Sequence, residues 1–191
     1  MADTNQNTVA NVSAGKPKVL GAVYHAPLGS TLPTTVSGAL DAAFACVGYI
    51  SEDGVTNSNS AESESVKAWG GDIILVTQTE KSDTFKFKMV EAKNIEAIKA
   101  VYGSDNVSGT LAGGLTVKAN SKQNPAEVWV IEIAMSKNTF KRIVIPNAVL
   151  TELEDIVYND SDPIGYGVTL SALPYEAFDG DTHREYIQTV A

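Results

Sequence analysis

The sequence predicts a mainly β protein: an antiparallel β-sandwich or barrel-like sheet with one short helix, an extended N-terminal arm and one long polar loop. Three observations predict it. Strand-like runs, either alternating or continuously apolar, follow one another from residue 73 onward. The connections between them are short and rich in Asn, Asp, Ser and Lys, so successive strands form hairpins. Only "NIEAIKAVYG", residues 94–103, combines a helical period with helical caps.

In chain order, residues 1 to about 16 are polar and rich in Asn and Thr, and are expected to be mobile unless a partner holds them. "KVLGAVYHAPLGSTLPTTV" follows. Gly21, Pro27, Gly29 and Pro33 deny it a helix or an unbroken central strand. It reads as an extended arm with apolar anchors at Val19, Leu20, Val23, Tyr24, Leu28 and Leu32. The arm takes residues 1–40 and a single β-rich domain takes 41–191. "SGALDAAFACVGYI" is ambiguous, because its alanines allow a helical turn while Val47, Tyr49 and Ile50 favour a strand. A turn and then a short strand at about 46–50 are expected. Residues 51–72, "SEDGVTNSNSAESESVKAWGGD", read as a long loop. From 51 to 65 the only apolar side chains are Val55 and Ala61, and Glu52, Asp53, Glu62 and Glu64 meet no base before Lys67. Loops of that length are usually functional or disordered.

"DIILVTQT" and "TFKFKMVEA" then read as two strands around a turn cluster, "EKSD". Phe85, Phe87 and Met89 alternate with Lys86 and Lys88, which gives one buried and one wet face. Asn94 caps the helix, Ile95, Ile98 and Tyr102 form its apolar stripe, and Gly103 ends it. The remaining strands are "LTVKA", "EVWVIEIAM", "TFKRIVIP", "LTELEDIVYN" and "YGVTLSALPY", with turns at "NSKQNP", "SKN" and "DSDPIG". "VWVIEIAM" is apolar on both faces except for Glu132, so it belongs in the middle of the sheet. The tail "EAFDGDTHREYIQTVA" has no clear period but offers Phe178, Tyr186 and Ile187 for docking.

Charge narrows the function classes. The 14 Lys and Arg against 23 Asp and Glu give a net charge of −9, which disfavours gripping phosphates as a main activity. Only 19% of residues are charged, and Ser, Thr, Asn and Gln supply the polarity. Such surfaces suit protein–protein packing, because burying an uncharged polar group costs far less than burying an ion. The lone Cys46 permits no intrachain disulfide and reads as a buried, inert thiol. No apolar stretch approaches the ~20 residues of a membrane span. The N-terminus has no signal-peptide core, so folding in a reducing cytoplasm is expected.

No catalytic pattern emerges. There is no phosphate loop, dinucleotide fingerprint, nucleophile elbow or zinc spacing, and His25 and His183 lie far apart in sequence. "DGDTH" and "NDSDPIG" read as turns rather than cation loops. No catalytic, cofactor or metal-binding residue is therefore assigned. Glu152 and Glu154 share a strand face as solvated like charges.

A set of short pieces, in order, carries more information. Gly21, Ala22, Tyr24, Ala26, Pro27, Gly29 and Pro33 lie in the arm. Then come Gly48, Tyr49, Ser51, Glu52, Asp53 and Gly54, followed by Trp69, Gly70, Gly71 and Asp72. Val101, Tyr102 and Gly103 close the helix, and "YGVTLSALPY" looks like a last core strand. Over about residues 19–175 this set resembles the major tail (tail tube) proteins of long-tailed, non-contractile bacteriophages. Ser30 departs from it, standing where Thr is more frequent.

The resemblance implies a non-enzymatic virion protein, made and assembled in the host cytoplasm. Such proteins form six-membered rings that stack into a hollow tube, with inner sheets joined across subunits. A tape-measure protein fills the tube during assembly, DNA later passes through without specific binding, and tail terminator and tail-tip proteins are further partners. No membrane is involved. The resemblance also implies that the 51–72 loop reaches a neighbouring subunit or ring. Its expected contacts are Ser51, Glu52, Asp53, Gly54 and Val55 at one end and Trp69, Gly70, Gly71 and Asp72 at the other. The middle, 57–65, is expected to tolerate change. Trp69 has two readings, an anchor on the core or an interface anchor. The first is preferred, because an exposed Trp is a solubility liability. In the arm, Tyr24, Pro27, Leu28, Leu32 and Pro33 are the expected contacts. Glu132, Glu152 and Glu154 are the candidate acids of the channel wall. The alternatives are the tube protein of a contractile device and, in another class, an adhesive or carbohydrate-binding β-sandwich.

Overall fold

The computed structural model describes residues 7–19 and 21–190. The anchor Leu20 and residues 1–6 of the polar N-terminus lie outside the described residues. The chain is mainly β, with 48% strand and 9% helical, the latter made up, among the described residues, of one α-helix and three single-turn 3-10 helices. In order, its elements are β1 (Lys16–Pro17), β2 (Val23–Pro27), β3 (Ala45–Cys46), β4 (Ile50–Lys67), β5 (Ile73–Met89), α1 (Ile95–Tyr102), β6 (Val107–Thr110), β7 (Gly114–Val117), β8 (Glu127–Ala134), β9 (Thr139–Leu153), β10 (Tyr166–Ala172) and β11 (Arg184–Thr189).

Nine strands make one antiparallel sheet, in the order β3-β2-β8-β9-β10-β5-β4, with β1 added to β8 and β11 to β9. β6 and β7 pair separately as a small hairpin. The two ends of the long sheet, β3 and β4, are joined by residues 47–49 alone. Four peptide steps span at most about 14 Å, so the sheet has to curl until its ends approach. The seam is hydrogen-bonded on both sides. Val47 N–H donates to Val23 O (3.1 Å), and Val90 N–H donates to Tyr49 O (3.0 Å). Gly48 turns there at φ 87°, where a Cβ would meet the Glu91 carboxyl at 2.2 Å. Glu91 accepts from Tyr49 N–H (2.9 Å) and from Asn94 Nδ2 (3.0 Å), which ties the seam to the start of α1.

Side-chain alternation fills the inside of the curl. Phe85, Phe87 and Met89 point inward as their period predicts, and meet Val168 and Leu170, Ile143 and Ile145, and Trp129 and Ile131. The central position expected for "VWVIEIAM" holds, since β8 lies between β2 and β9. The Asn94 side chain accepts from Glu96 N–H at 3.0 Å, so the helix starts where its cap predicts. Its buried residues are Ala97, Ile98, Ala100 and Val101. Ile95 and Tyr102, expected in the stripe, are only half-buried, because the small alanines let the other side of the helix sit closest to the sheet.

Several boundaries differ from expectation. "EKSD" is not a turn: Glu80, Lys81, Ser82 and Asp83 are ladder residues of β5, paired to Glu62, Ala61, Ser60 and Asn59. "TFKRIVIP" and the first part of "LTELEDIVYN" are one strand, β9. Pro146 does not break it, because the β8–β9 register shifts between Glu127 and Trp129, and a bulge tolerates a residue without an N–H. β6 and the tail strand β11 lacked a sequence period because little of either is buried. "SKN" is a tight hairpin in which Lys137 and Asn138 both have positive φ, 57° and 53°, as a type I′ turn requires.

The arm is corrected too. Its centre, β2, is a full member of the sheet, and Pro33 and Val36 beyond it are buried. Tyr24, Leu32, Leu40 and Phe44 pack with Val130, Val144 and Phe178 on the outer face of the curl. Val19 and Leu28, expected as anchors, are exposed.

Tyr102 and Tyr166 meet edge to face at 6.3 Å. Burial, then the neighbouring tyrosines, raises both phenols above their ordinary value. A folded-state pKa that is raised means stability that is whole below the ordinary tyrosine value of about 10 and is lost as pH climbs past it. Unfolding midpoints measured from pH 8 to 11 should therefore fall above about pH 10, and Tyr102→Phe with Tyr166→Phe should flatten that fall.

Candidate assembly surface

The segment expected as a long loop is a ribbon. β4 and β5 pair from Val55↔Phe87 to Lys67↔Ile73, and only residues 68–72 turn. Gly71 N–H donates to Ala68 O (3.0 Å) and Ala68 N–H to Asp72 O (2.7 Å), while Gly70 and Gly71 carry φ of 114° and 99°. Sequence reasoning missed β4 because its period is invisible. Neither face of the outer ribbon is buried by the body, so no apolar alternation is selected, and Ser, Asn and Glu carry little β-propensity. The available signal was length: two runs of 18 and 17 residues flank "AWGGD". Polar pairing holds the stem, as with Ser60 Oγ and Ser82 Oγ at 2.8 Å.

The root is built differently. Between Ile50↔Met89 and Val55↔Phe87 the register shifts, so Ser51, Glu52, Asp53 and Gly54 bulge out, with Gly54 at φ 71°. Asp83 marks where β5 passes from exposed to buried, and is itself 2% exposed. It accepts from Asn57 Nδ2 (2.8 Å) and Thr182 Oγ1 (2.6 Å), and lies 2.5 Å from His183 Nδ1. The C-terminal segment thereby fastens the ribbon's root.

This geometry separates residues that were grouped together. From Val55 to Ala68 the ribbon runs about 40 Å at about 3.3 Å per residue. Ser51, Glu52, Asp53, Gly54 and Val55 sit at its root, and Trp69, Gly70, Gly71 and Asp72 at its tip. The tip is apolar: Val66, Trp69, Ile73, Ile74, Leu75 and Val76 are all exposed. Trp69 is fully exposed at 106%, so the core-anchor reading is overturned; the hairpin carries it away from the body. The middle, 57–65, is one strand of the ladder, and deleting it alone would strand the β5 residues paired to it. Over residues 50–82 the ribbon holds six acids and two lysines.

The other predicted residues scatter. Of the arm contacts, Pro27 and Leu28 are exposed, Tyr24 and Leu32 are half-buried against the chain's own sheet, and Pro33 is buried. Glu132 does not face solvent and cannot line a channel. It is 5% exposed and accepts from Arg142 Nε (2.8 Å) and Nη2, with Lys18 Nζ at 2.7 Å. Arg142 Nη1 reaches on to Thr35 O (2.5 Å) and Gly38 O (2.9 Å). This group clasps the 28–44 segment to the sheet, a role β8's alternation alone did not reveal. Glu152 and Glu154 do lie at the surface. Glu152 accepts from Thr169 Oγ1 (3.1 Å), and Glu154 pairs with Lys86 (2.7 Å), which raises the Lys86 pKa through that hydrogen bond and charge. With Lys86 and Lys88 on the same outward side of β5, that face is charge-balanced rather than acidic.

Cys46 is only partly buried, its sulfur accepting from Gly48 N–H at 3.4 Å. His25 is buried beside Trp129, with Nδ1 2.8 Å from Glu127 Oε2. Among the described residues, no group of three or more His, Cys, Asp or Glu could hold a metal ion. The chemistry on offer is surface: an exposed polar ribbon with an apolar end.

The sequence profile of a phage tail tube protein family matches residues 5–187, nearly the whole chain. The chain belongs to that family. No curated protein matches the sequence. A tail tube protein is a structural component of the virion, and its family implies self-assembly into a tube together with other tail proteins. In a tail tube protein the ribbon ceases to be anomalous. An apolar tip held far from the body is a solubility liability for a monomer and an asset for a subunit.

Proposed function

We propose that this tail tube protein stacks as hexameric rings into the tube of a long-tailed, non-contractile phage, and that DNA passes through the tube without specific binding. The observation that carries the reading is the β4–β5 ribbon, a projecting element whose only concentrated apolar surface is at its far end. Sheet edges support it. Among the described residues, β4 and β11 each lack a partner on their outer side, and such edges invite pairing with another chain. The net charge of −9 supports passage rather than capture of DNA, since every copy adds repulsion toward phosphate. A tape-measure protein inside the tube, and terminator and tip proteins at its ends, complete the proposal.

Electron microscopy of the purified protein tests it. Hollow tubes or six-fold rings are expected at high concentration, and a strict monomer under all conditions counts against the reading. A contractile device requires a surrounding sheath, so a sheath gene beside this one would move the assignment there.

A further inference from the structure

The outer end of the ribbon is apolar on both faces. Leu75 and Val66 are directly opposite each other and share one face. Val76, paired to Ser65, and Ile73, paired to Lys67, lie on the other face, because the register shifts between Val66 and Lys67 and leaves Ile74 as the extra residue of a bulge. All four are about half exposed or more. "IILV" is thus a continuous apolar run, the pattern of a strand covered on both sides, on a ribbon that the body covers on neither. The stem below it is polar on both faces, so the feature is confined to the tip. The tip is also thin: a Cβ at Gly70 or Gly71 would meet nothing within 4 Å.

We propose that the ribbon tip is wedged between two other copies of this chain and buried on both faces at once, rather than laid against one. The proposal rests on the assembly reading above. A ribbon lying on a single flat surface would leave one aliphatic pair wet. Each face of the ladder presents two aliphatic side chains, with Ile74 in the bulge and Trp69 in the turn, far short of the roughly 800 Å² per partner of a stable pairwise interface. Copies of the same chain are the fitting occupants, because tail tube proteins self-assemble and a tube supplies two neighbouring subunits at every seam. Repetition around the assembly then gives weak individual contacts their collective strength.

A photo-cross-linking amino acid placed at Leu75 or at Val76 in the full-length chain, followed by assembly, irradiation and peptide mapping, tests this. Both positions should cross-link, to different peptides of other copies, and chains labelled at both should give three-chain products. Tubes in which only one position cross-links, or both reach the same peptide, overturn the wedge and leave the assembly reading standing. Monomers with no cross-link at either position overturn both. As a second measure, Val66→Ser with Leu75→Ser, and separately Ile73→Ser with Val76→Ser, should each raise the concentration needed for assembly by roughly a hundredfold. Neither pair touches the core, so both variants should fold, and indifference to either pair would refute two-sided burial.

Discussion

Replacing residues 60–82 with Asn-Gly should yield a folded, soluble monomer that no longer assembles. Asn59 and Asp83 are directly paired, so a two-residue type I′ turn can join them without moving the ladder below. None of the removed residues is buried, and the outer ribbon's backbone hydrogen bonds are made within itself. The Asn57, Thr182 and His183 contacts to Asp83 are kept. The melting temperature should therefore shift by no more than about 3 °C, a bound that follows from surface changes being within about 0.5 kcal/mol. Assembly should be lost outright, because the six exposed apolar residues of the tip leave with the segment. Size-exclusion chromatography and microscopy read the outcome. Tubes formed by the shortened chain would show that the ribbon is dispensable.

Arg142→Ala should cost the body about 3–5 kcal/mol, the usual consequence of breaking a buried ion pair from one side. Arg142 is 2% exposed, and its guanidinium serves Glu132 and two backbone carbonyls of the 28–44 segment. Without it, Glu132 is left with the ion pair to the partly exposed Lys18, and Thr35 O and Gly38 O lose the guanidinium donor. For a chain of this size, that loss lowers the melting temperature by roughly 10 °C. Amide exchange should quicken across 28–44 before the rest of the sheet. The double variant Glu132→Leu with Arg142→Met should recover most of the loss, since a hydrophobic pair removes the desolvation penalty together with the attraction. A single variant as stable as the parent would deny the clasp its role.

The core was largely legible. Phe85, Phe87 and Met89 announced their inward face, and Asn94 and Gly103 bracketed the helix, because burial and capping impose residue types at fixed spacings. The ribbon was not. Its 55–67 strand is held by backbone pairing to β5, and that pairing leaves no mark on side chains that neither face buries. Glu132 misled for the opposite reason. An acid among apolar neighbours reads as the wet residue of a strand, and only the approach of Arg142 from β9 and Lys18 from β1 makes its burial tolerable.

By itself the sequence determined the β class, the single helix, the inward-facing set and the family, each of which depends on local patterns. Tertiary structure decided the rest. It turned a presumed loop into a ribbon about 40 Å long by residue count, set "SEDGV" at its root and "AWGGD" at its tip, and drew the arm into the sheet. Partners distant in sequence, chosen by register and by charge, made those decisions, and one strand read alone contains neither.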